Sequence, residues 1–149
     1  MCFNNTSVNT IRAMTILDKH GKGHVLKTIL RAGIGDTVVD NYCAGGVIYN
    51  VNVKTGFVAS KGISRAGSDH IIHPNSNIVM LGYKIPNWCS VIDSCIRAAE
   101  QIPSCRFIGW DVAITDDAIE LIEGNHNPDY ELYEFIGPIG QYKHIKMYQ

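Results

Sequence analysis

Between residues 108 and 128, apolar and polar positions alternate on both sides of an acidic pair, Asp116-Asp117. A period of two predicts two strands joined by a turn at that pair. On the first strand Ile108, Trp110, Val112 and Ile114 share one face, and Gly109, Asp111 and Ala113 share the other. On the second, Leu121, Glu123 and Asn125 share a face by the same period. A turn of three residues, 116–118, then sets Asp111 directly opposite Glu123. Upstream, residues 7–17 and 24–33 read as strands around Asp18-Lys-His-Gly-Lys-Gly23, whose glycines suit a hairpin loop. Residues 46–53 and 57–63 form a second predicted hairpin about Lys54-Thr-Gly56. Residues 64–84 are dense in Gly, Asp, His, Pro and Asn and predict a long loop. Asn87 is placed to cap a helix running to about Ile102. Val91, Ile92, Cys95, Ile96, Ala99 and Ile102 lie on one apolar stripe of that helix, and Pro103 stops it. Residues 129–149 mix aromatics with Gly137-Pro138 and Gly140 and yield no predicted element. The set predicts an α+β fold, an antiparallel sheet with a helix packed on one face.

The 149 residues fit a single domain, 1–149, large enough for a hydrophobic core without staples. A net charge of -1 with 18% charged residues provides no basic field for nucleic acid and no polybasic patch for a membrane. No apolar run approaches the ~18 residues that span a bilayer. The start Met1-Cys-Phe-Asn-Asn5 lacks a basic region followed by an apolar one, so no signal peptide is predicted. Cys2, Cys43, Cys89, Cys95 and Cys105 are odd in number and form no Cys-X-X-Cys, which predicts reduced thiols in a cytoplasmic protein.

The hairpin carries the strongest chemistry. Two carboxylates facing each other across strands repel. A divalent cation removes that cost, and Asp111, Glu123 and the Asn125 amide offer an all-oxygen site suited to Mg²⁺. The other reading is a solvated hairpin edge with its acids pointing outward. Arg12 interrupts a strand that otherwise alternates Val8, Thr10, Met14 and Ile16, and its plain reading is an edge arginine reaching back to water. Gly45-Gly46 would let backbone approach a ligand closely, or simply make a tight turn. The interval between His70 and His73 would suit zinc on a helix, but Pro74 and the loop composition argue against a helix there. His126, between the two asparagines after Glu123, reads as a surface histidine, with approach to a ligand as the other reading; Lys61 and Arg65 read as charges of a solvated loop, with phosphate contact as the other reading.

An Asp on one strand, followed by Glu123-Gly-Asn-His-Asn-Pro128 ending the next, resembles the metal-binding hairpin of the C-terminal half of ATP-grasp enzymes. The resemblance is closest to the sugar-transfer-associated ATP-grasp family. There Ser7-Val-Asn-Thr-Ile-Arg12, Leu30-Arg-Ala-Gly33, Asp40-Asn-Tyr-Cys-Ala-Gly-Gly46, Thr55-Gly56, His73-Pro74 and Ile85-Pro-Asn-Trp88 recur in the same order. It covers roughly residues 5–130.

The resemblance implies an ATP-dependent ligase using Mg²⁺ or Mn²⁺, which phosphorylates a carboxylate so that a nucleophile can attack the acyl phosphate, in the setting of surface polysaccharide assembly. It implies Asp111, Glu123 and Asn125 as metal ligands, with Arg12 and Arg31 over the phosphates or the acyl phosphate as the catalytic cations. It implies Asn41, Gly45 and Gly46 at the cofactor. Related glutamate ligases carry an arginine where Val39 stands, which counts against an α-amino-acid substrate. D-alanine–D-alanine ligases carry an arginine where Gly109 stands, so the catalytic cation is expected from Arg12 or Arg31. The first lobe, with its phosphate-binding lysines and adenine pocket, is not recognisable in these residues. The chain is therefore expected to be the C-terminal lobe, inactive alone, pairing with a separate N-terminal lobe or with itself as a homodimer. Two further expectations stand beside the ligase lobe: a non-catalytic remnant serving as a binding or assembly module, and a metal-binding structural protein.

Overall fold

A computed structural model of the chain describes Phe3 and residues 8–35, 45–115, 118–128 and 145–148. Among the described residues, seven antiparallel strands form one sheet. They are β1 (Thr10–Leu17), β2 (Gly23–Ala32), β3 (Val47–Val51), β4 (Gly62–Ser64), β5 (Asp69–His70), β6 (Phe107–Ile114) and β7 (Ile119–Asn125). Their order is β5-β4-β3-β2-β1-β6-β7. The chain thus runs outward from β1 to one edge, returns through α1 (Trp88–Glu100), and completes the sheet on the other side of β1. Helix α1 on this antiparallel sheet is the predicted α+β layer.

The helix packs across β1 and β2 and touches β6 and β7. Trp88, Val91, Cys95 and Ala99 are its buried side chains, one per turn, as an amphipathic helix on a sheet requires. They meet Ile11, Ala13, Leu30, Tyr49 and Val112 from the sheet. Two glycines permit the approach. A Cβ on Gly23 would lie 3.1 Å from Ile96 Cγ2, and the Gly23 N–H donates to Glu100 Oε1 at 2.9 Å. A Cβ on Gly56, at φ +71°, would sit 2.4 Å from Trp88 Cγ, and Trp88 Nε1 donates to the Val53 carbonyl at 2.8 Å.

Several boundaries differ from the alternation. Asn87 precedes the helix but is left-handed (φ 52°) and makes no side-chain cap; its carbonyl accepts from the Val91 N–H. The helix ends at Glu100, where Gln101 and Ile102 donate back to Ala98 and Ala99, and Ile102 is left exposed. The second hairpin narrows to β3 with β4, its tip held by single bridges such as Val51 to Val58. The long loop 64–84 includes the two-residue β5 and a bridge from Ile72 to Val79. Within it His73 is fully buried.

Two bulges reset the register. On β2, Met14 faces Lys27 but Thr15 faces Val25, leaving Leu26 as the extra residue. On β7, Val112 faces Leu121 but Asp111 faces Glu123, leaving Ile122 extra. The predicted turn pair Asp116-Asp117 lies outside the described residues.

Candidate functional site

Because β1 lies third from the β7 edge and is buried along its whole length, both of its faces are occupied. Ile11, Ala13 and Leu17 belong to the helix-side core. Arg12 and Met14 face the other way, where Met14, Ile29 and Ile48 form a second apolar cluster. The strand pairings lay this second face out in three transverse rows. The first runs Ile48, Arg31, Thr10, Ala113 and Glu120; the second runs Asn50, Ile29, Arg12, Asp111 and Glu123; the third runs Lys27, Met14, Gly109 and Asn125. Residues paired directly across strands share a face.

Arg12, Arg31 and Asp111 meet at the centre, each 10% exposed at its side chain. Arg12 Nε donates to Asp111 Oδ1 at 2.6 Å and its Nη2 donates to Oδ2 at 2.8 Å. Arg31 Nη1 donates to Oδ1 at 3.1 Å. A buried carboxylate costs several kcal/mol in desolvation unless it is paired and hydrogen-bonded, and a fork-on-fork contact is the geometry that offsets this best. Arg12 is therefore no edge arginine reaching water. The predicted like-charge strain between Asp111 and Glu123 is also corrected, because Asp111 is held by two guanidiniums while Glu123 is exposed.

Glu123 and Asn125 stand on the same face as Asp111, Glu123 directly opposite it and Asn125 one row along, beside Gly109. The bulge produces this. Ile114 faces Ile119 across a four-residue connection, a register that by itself would set Asp111 opposite Ile122. Insertion of Ile122 brings Glu123 to that position, on the face of Asp111. The same bulge corrects one sequence assignment, since Leu121 faces Val112 on the helix side rather than sharing the face of Glu123; Glu120, opposite Ala113, also stands on the acidic face. The donor chemistry fits a hard divalent cation, with two carboxylates and an amide and no soft ligand. Among the described residues no group of three His, Cys, Asp or Glu gathers.

Gly109 explains its own departure from the ligase pattern. A Cβ there would lie 2.7 Å from Pro128 Cβ and 3.6 Å from Arg12 Cδ. The chain leaving β7 folds back over this bare position, and the Arg12 stem runs beside it, so no side chain fits.

Gly45 (φ +100°) is exposed and Gly46 buried, and they precede β3 at the end of the sheet where Arg31 faces Ile48. Asn41 and Val39 lie outside the described residues. Lys27, 6% exposed, shares the face of Arg31 and was missed in the sequence, although the spacing 27, 29, 31 on one strand places it there.

The histidines resolve differently. His73 Nε2 faces the Gly33 carbonyl at 3.1 Å and so donates; its Nδ1 accepts from the Ser76 N–H at 3.3 Å. Both nitrogens are used, which removes the zinc reading for His73, and burial holds its pKa below the usual value. His126 lines a cavity of about 280 Å³ with Ile102, Cys105, Ile108, Trp110 and Gly124 on the helix side, away from Glu123. Lys61 pairs with Asp69 at the surface, and Arg65 is exposed.

The family model for sugar-transfer associated ATP-grasp proteins matches residues 2–145, and the chain belongs to that family. No curated protein matches it, and neither does any solved structure. Among the described residues no helix is long and apolar enough to cross a membrane.

Proposed function

We propose that this chain is the C-terminal lobe of an ATP- and Mg²⁺-dependent ligase that activates a carboxylate as an acyl phosphate, in the assembly of a surface polysaccharide. The observation that supports it is the transverse row Arg12, Asp111, Glu123, flanked by Arg31 and Asn125, on one face of four neighbouring strands. In this reading Asp111, Glu123 and Asn125 hold Mg²⁺, which would neutralise phosphate charge when bound. Arg12 and Arg31 stabilise charge on the transferring phosphoryl group, a task suited to planar guanidiniums. Arg12, running beside Gly109, supplies the cation that other ligases carry at that position. Gly45 and Gly46 approach the nucleotide from the Arg31 end, and Asn41 is a further nucleotide contact by the family resemblance. A substrate carboxylate oxygen attacks the γ-phosphorus, ADP leaves, and a nucleophile then displaces phosphate from the acyl carbon. The partners are nucleotide, a carboxylate substrate, and either an N-terminal lobe or a second copy of this chain, in the cytoplasm.

A second reading, a non-catalytic remnant acting as a binding or assembly module, draws on the ion pairs that already engage Asp111. Equilibrium binding of Mg·ATP separates the two. The ligase-lobe reading expects binding that Glu123→Ala and Arg31→Ala each weaken, without steady-state turnover by the chain alone. No binding at millimolar nucleotide supports the remnant.

A further inference from the structure

We propose that the Arg12–Asp111–Arg31 bridge is an exchange latch. It closes the Asp111 carboxylate to a divalent cation until a phosphate-like anion draws the guanidiniums away, so that anion and cation load cooperatively. The inference rests on the metal reading of Asp111 given above and adds an order to it.

The geometry carries it. Both carboxylate oxygens are occupied, Oδ2 by one guanidinium nitrogen and Oδ1 by two, at 2.6 to 3.1 Å. An inner-sphere Mg²⁺ or Mn²⁺ needs one of those oxygens at about 2.1 Å and would stand against two guanidinium charges in a buried setting. The cation must therefore displace guanidinium contacts to enter. A guanidinium fork matches phosphate and sulfate oxygens as well as it matches a carboxylate, so an anion over the face offers Arg12 and Arg31 an equivalent partner. Arg31 makes one contact with Asp111 where Arg12 makes two. Glu123 and Asn125 stand ready on the neighbouring strand to complete the ligand set once Asp111 is released.

The test is Mn²⁺ binding to the full chain without nucleotide, followed by the free Mn²⁺ electron paramagnetic resonance signal. Arg31→Met should tighten Mn²⁺ by about ten-fold or more, the scale of one charge-assisted hydrogen bond. Lys27→Met removes a charge from the same face at a position paired with Met14, and should change the affinity far less. Arg31→Lys, which keeps the charge but loses the fork, should tighten less than Arg31→Met and serves if that variant folds poorly. Sulfate exchanged for chloride at constant ionic strength should tighten Mn²⁺ on the unaltered chain by about five-fold or more, and should lose that effect in Arg31→Met. Adding Asp111→Asn to Arg31→Met should abolish the gain.

If the unaltered chain already binds Mn²⁺ as tightly as Arg31→Met, and Asp111→Asn removes that binding, the metal site stands and the latch is overturned. Equal tightening by Lys27→Met overturns it as well, by showing a general charge effect. Sulfate without effect overturns the anion step. If no variant binds Mn²⁺ under any condition, the underlying metal reading fails together with the latch.

Discussion

Arg12 grips Asp111 from the neighbouring strand with two parallel contacts, 2.6 Å from Nε and 2.8 Å from Nη2, at a position where the two residues are direct partners in the β1–β6 ladder. The strand pairing aligns the two stems, so the fork closes on the carboxylate with little further ordering.

That contact reverses the stability effect the sequence suggests. An acidic pair with no other partner would gain from neutralising Asp111. Here Asp111→Asn removes the charge that two buried guanidiniums face. Breaking a buried pair costs about 3–5 kcal/mol, and asparagine keeps one acceptor oxygen, so a loss of about 3 kcal/mol is expected without metal. Denaturant melts of both proteins in chelator decide it. An Asp111→Asn protein as stable as the parent would mean that the bridge contributes nothing net.

Gly109→Ala should destabilise the chain although alanine suits a strand better than glycine. Its Cβ would lie 2.7 Å from Pro128, too close for any real contact, so Pro128 or β6 must shift. Overpacking of this kind costs about 1–3 kcal/mol. Gly21, where a Cβ would meet nothing within 4 Å, has φ +80° and reports the backbone term alone when replaced by alanine. If the crystal structure of Gly109→Ala shows Pro128 and Arg12 undisplaced, the close-approach argument is wrong.

The acidic hairpin shows how far a strand pattern carries. Alternation places Asp111 and Glu123 on paired faces only if the turn has an odd number of residues. The chain uses a four-residue connection and recovers the same pairing by inserting Ile122. Period and pairing were legible; the bulge was not, because nothing in Leu121-Ile122 distinguishes an extra residue from a regular one. That is why the alternation sets Leu121 on the face of Glu123, whereas it faces Val112. Arg12 looked like an edge residue for a related reason. Its neighbours show the strand, but its central place follows from β6, which begins at Phe107, joining β1, which ends at Leu17, and local pattern does not encode that. The helix stripe was visible because four buried positions recur at helical spacing. His73 was hidden in a loop whose composition signals turns, and its Nε2 partner is the carbonyl of Gly33, distant in sequence.

Thiol labelling tests the helix packing. Cys89 and Cys95 both lie on α1, but Cys89 is exposed while Cys95 is buried, and burial pushes the Cys95 thiol up to about 12. Only the thiolate reacts, so at pH 8 a maleimide or disulfide reagent should modify Cys89 rapidly and Cys95 only on unfolding. Peptide mapping after short exposure reads the two sites separately. Equal labelling of both under native conditions would show that α1 does not seal the sheet as described.

The last prediction is a pH dependence set by His73. Burial disfavours its charged form, and both neutral-state contacts, Nε2–H to the Gly33 carbonyl and Nδ1 from the Ser76 N–H, are satisfied. Protonating Nδ1 would turn an acceptor toward a donor. The folded-state pKa therefore lies below the unfolded value of about 6.5. With a depressed folded pKa the unfolded chain binds more protons in the window between the two values. The stability contribution is thus fully present above about pH 6.5 and is lost as pH falls toward the folded pKa, with a limiting slope of about 1.4 kcal/mol per pH unit. His73→Gln keeps a donor and an acceptor but does not titrate, so it should lower stability at pH 7.5 and flatten the slope between pH 6.5 and 5. Asp18, whose pKa is held at about 2 by its contact with His24, titrates below that window and does not confuse it. If His73→Gln unfolds with the same slope as the parent between pH 6.5 and 5, another group sets the dependence, and the buried neutral histidine is not what ties the 71–80 loop to the end of β2.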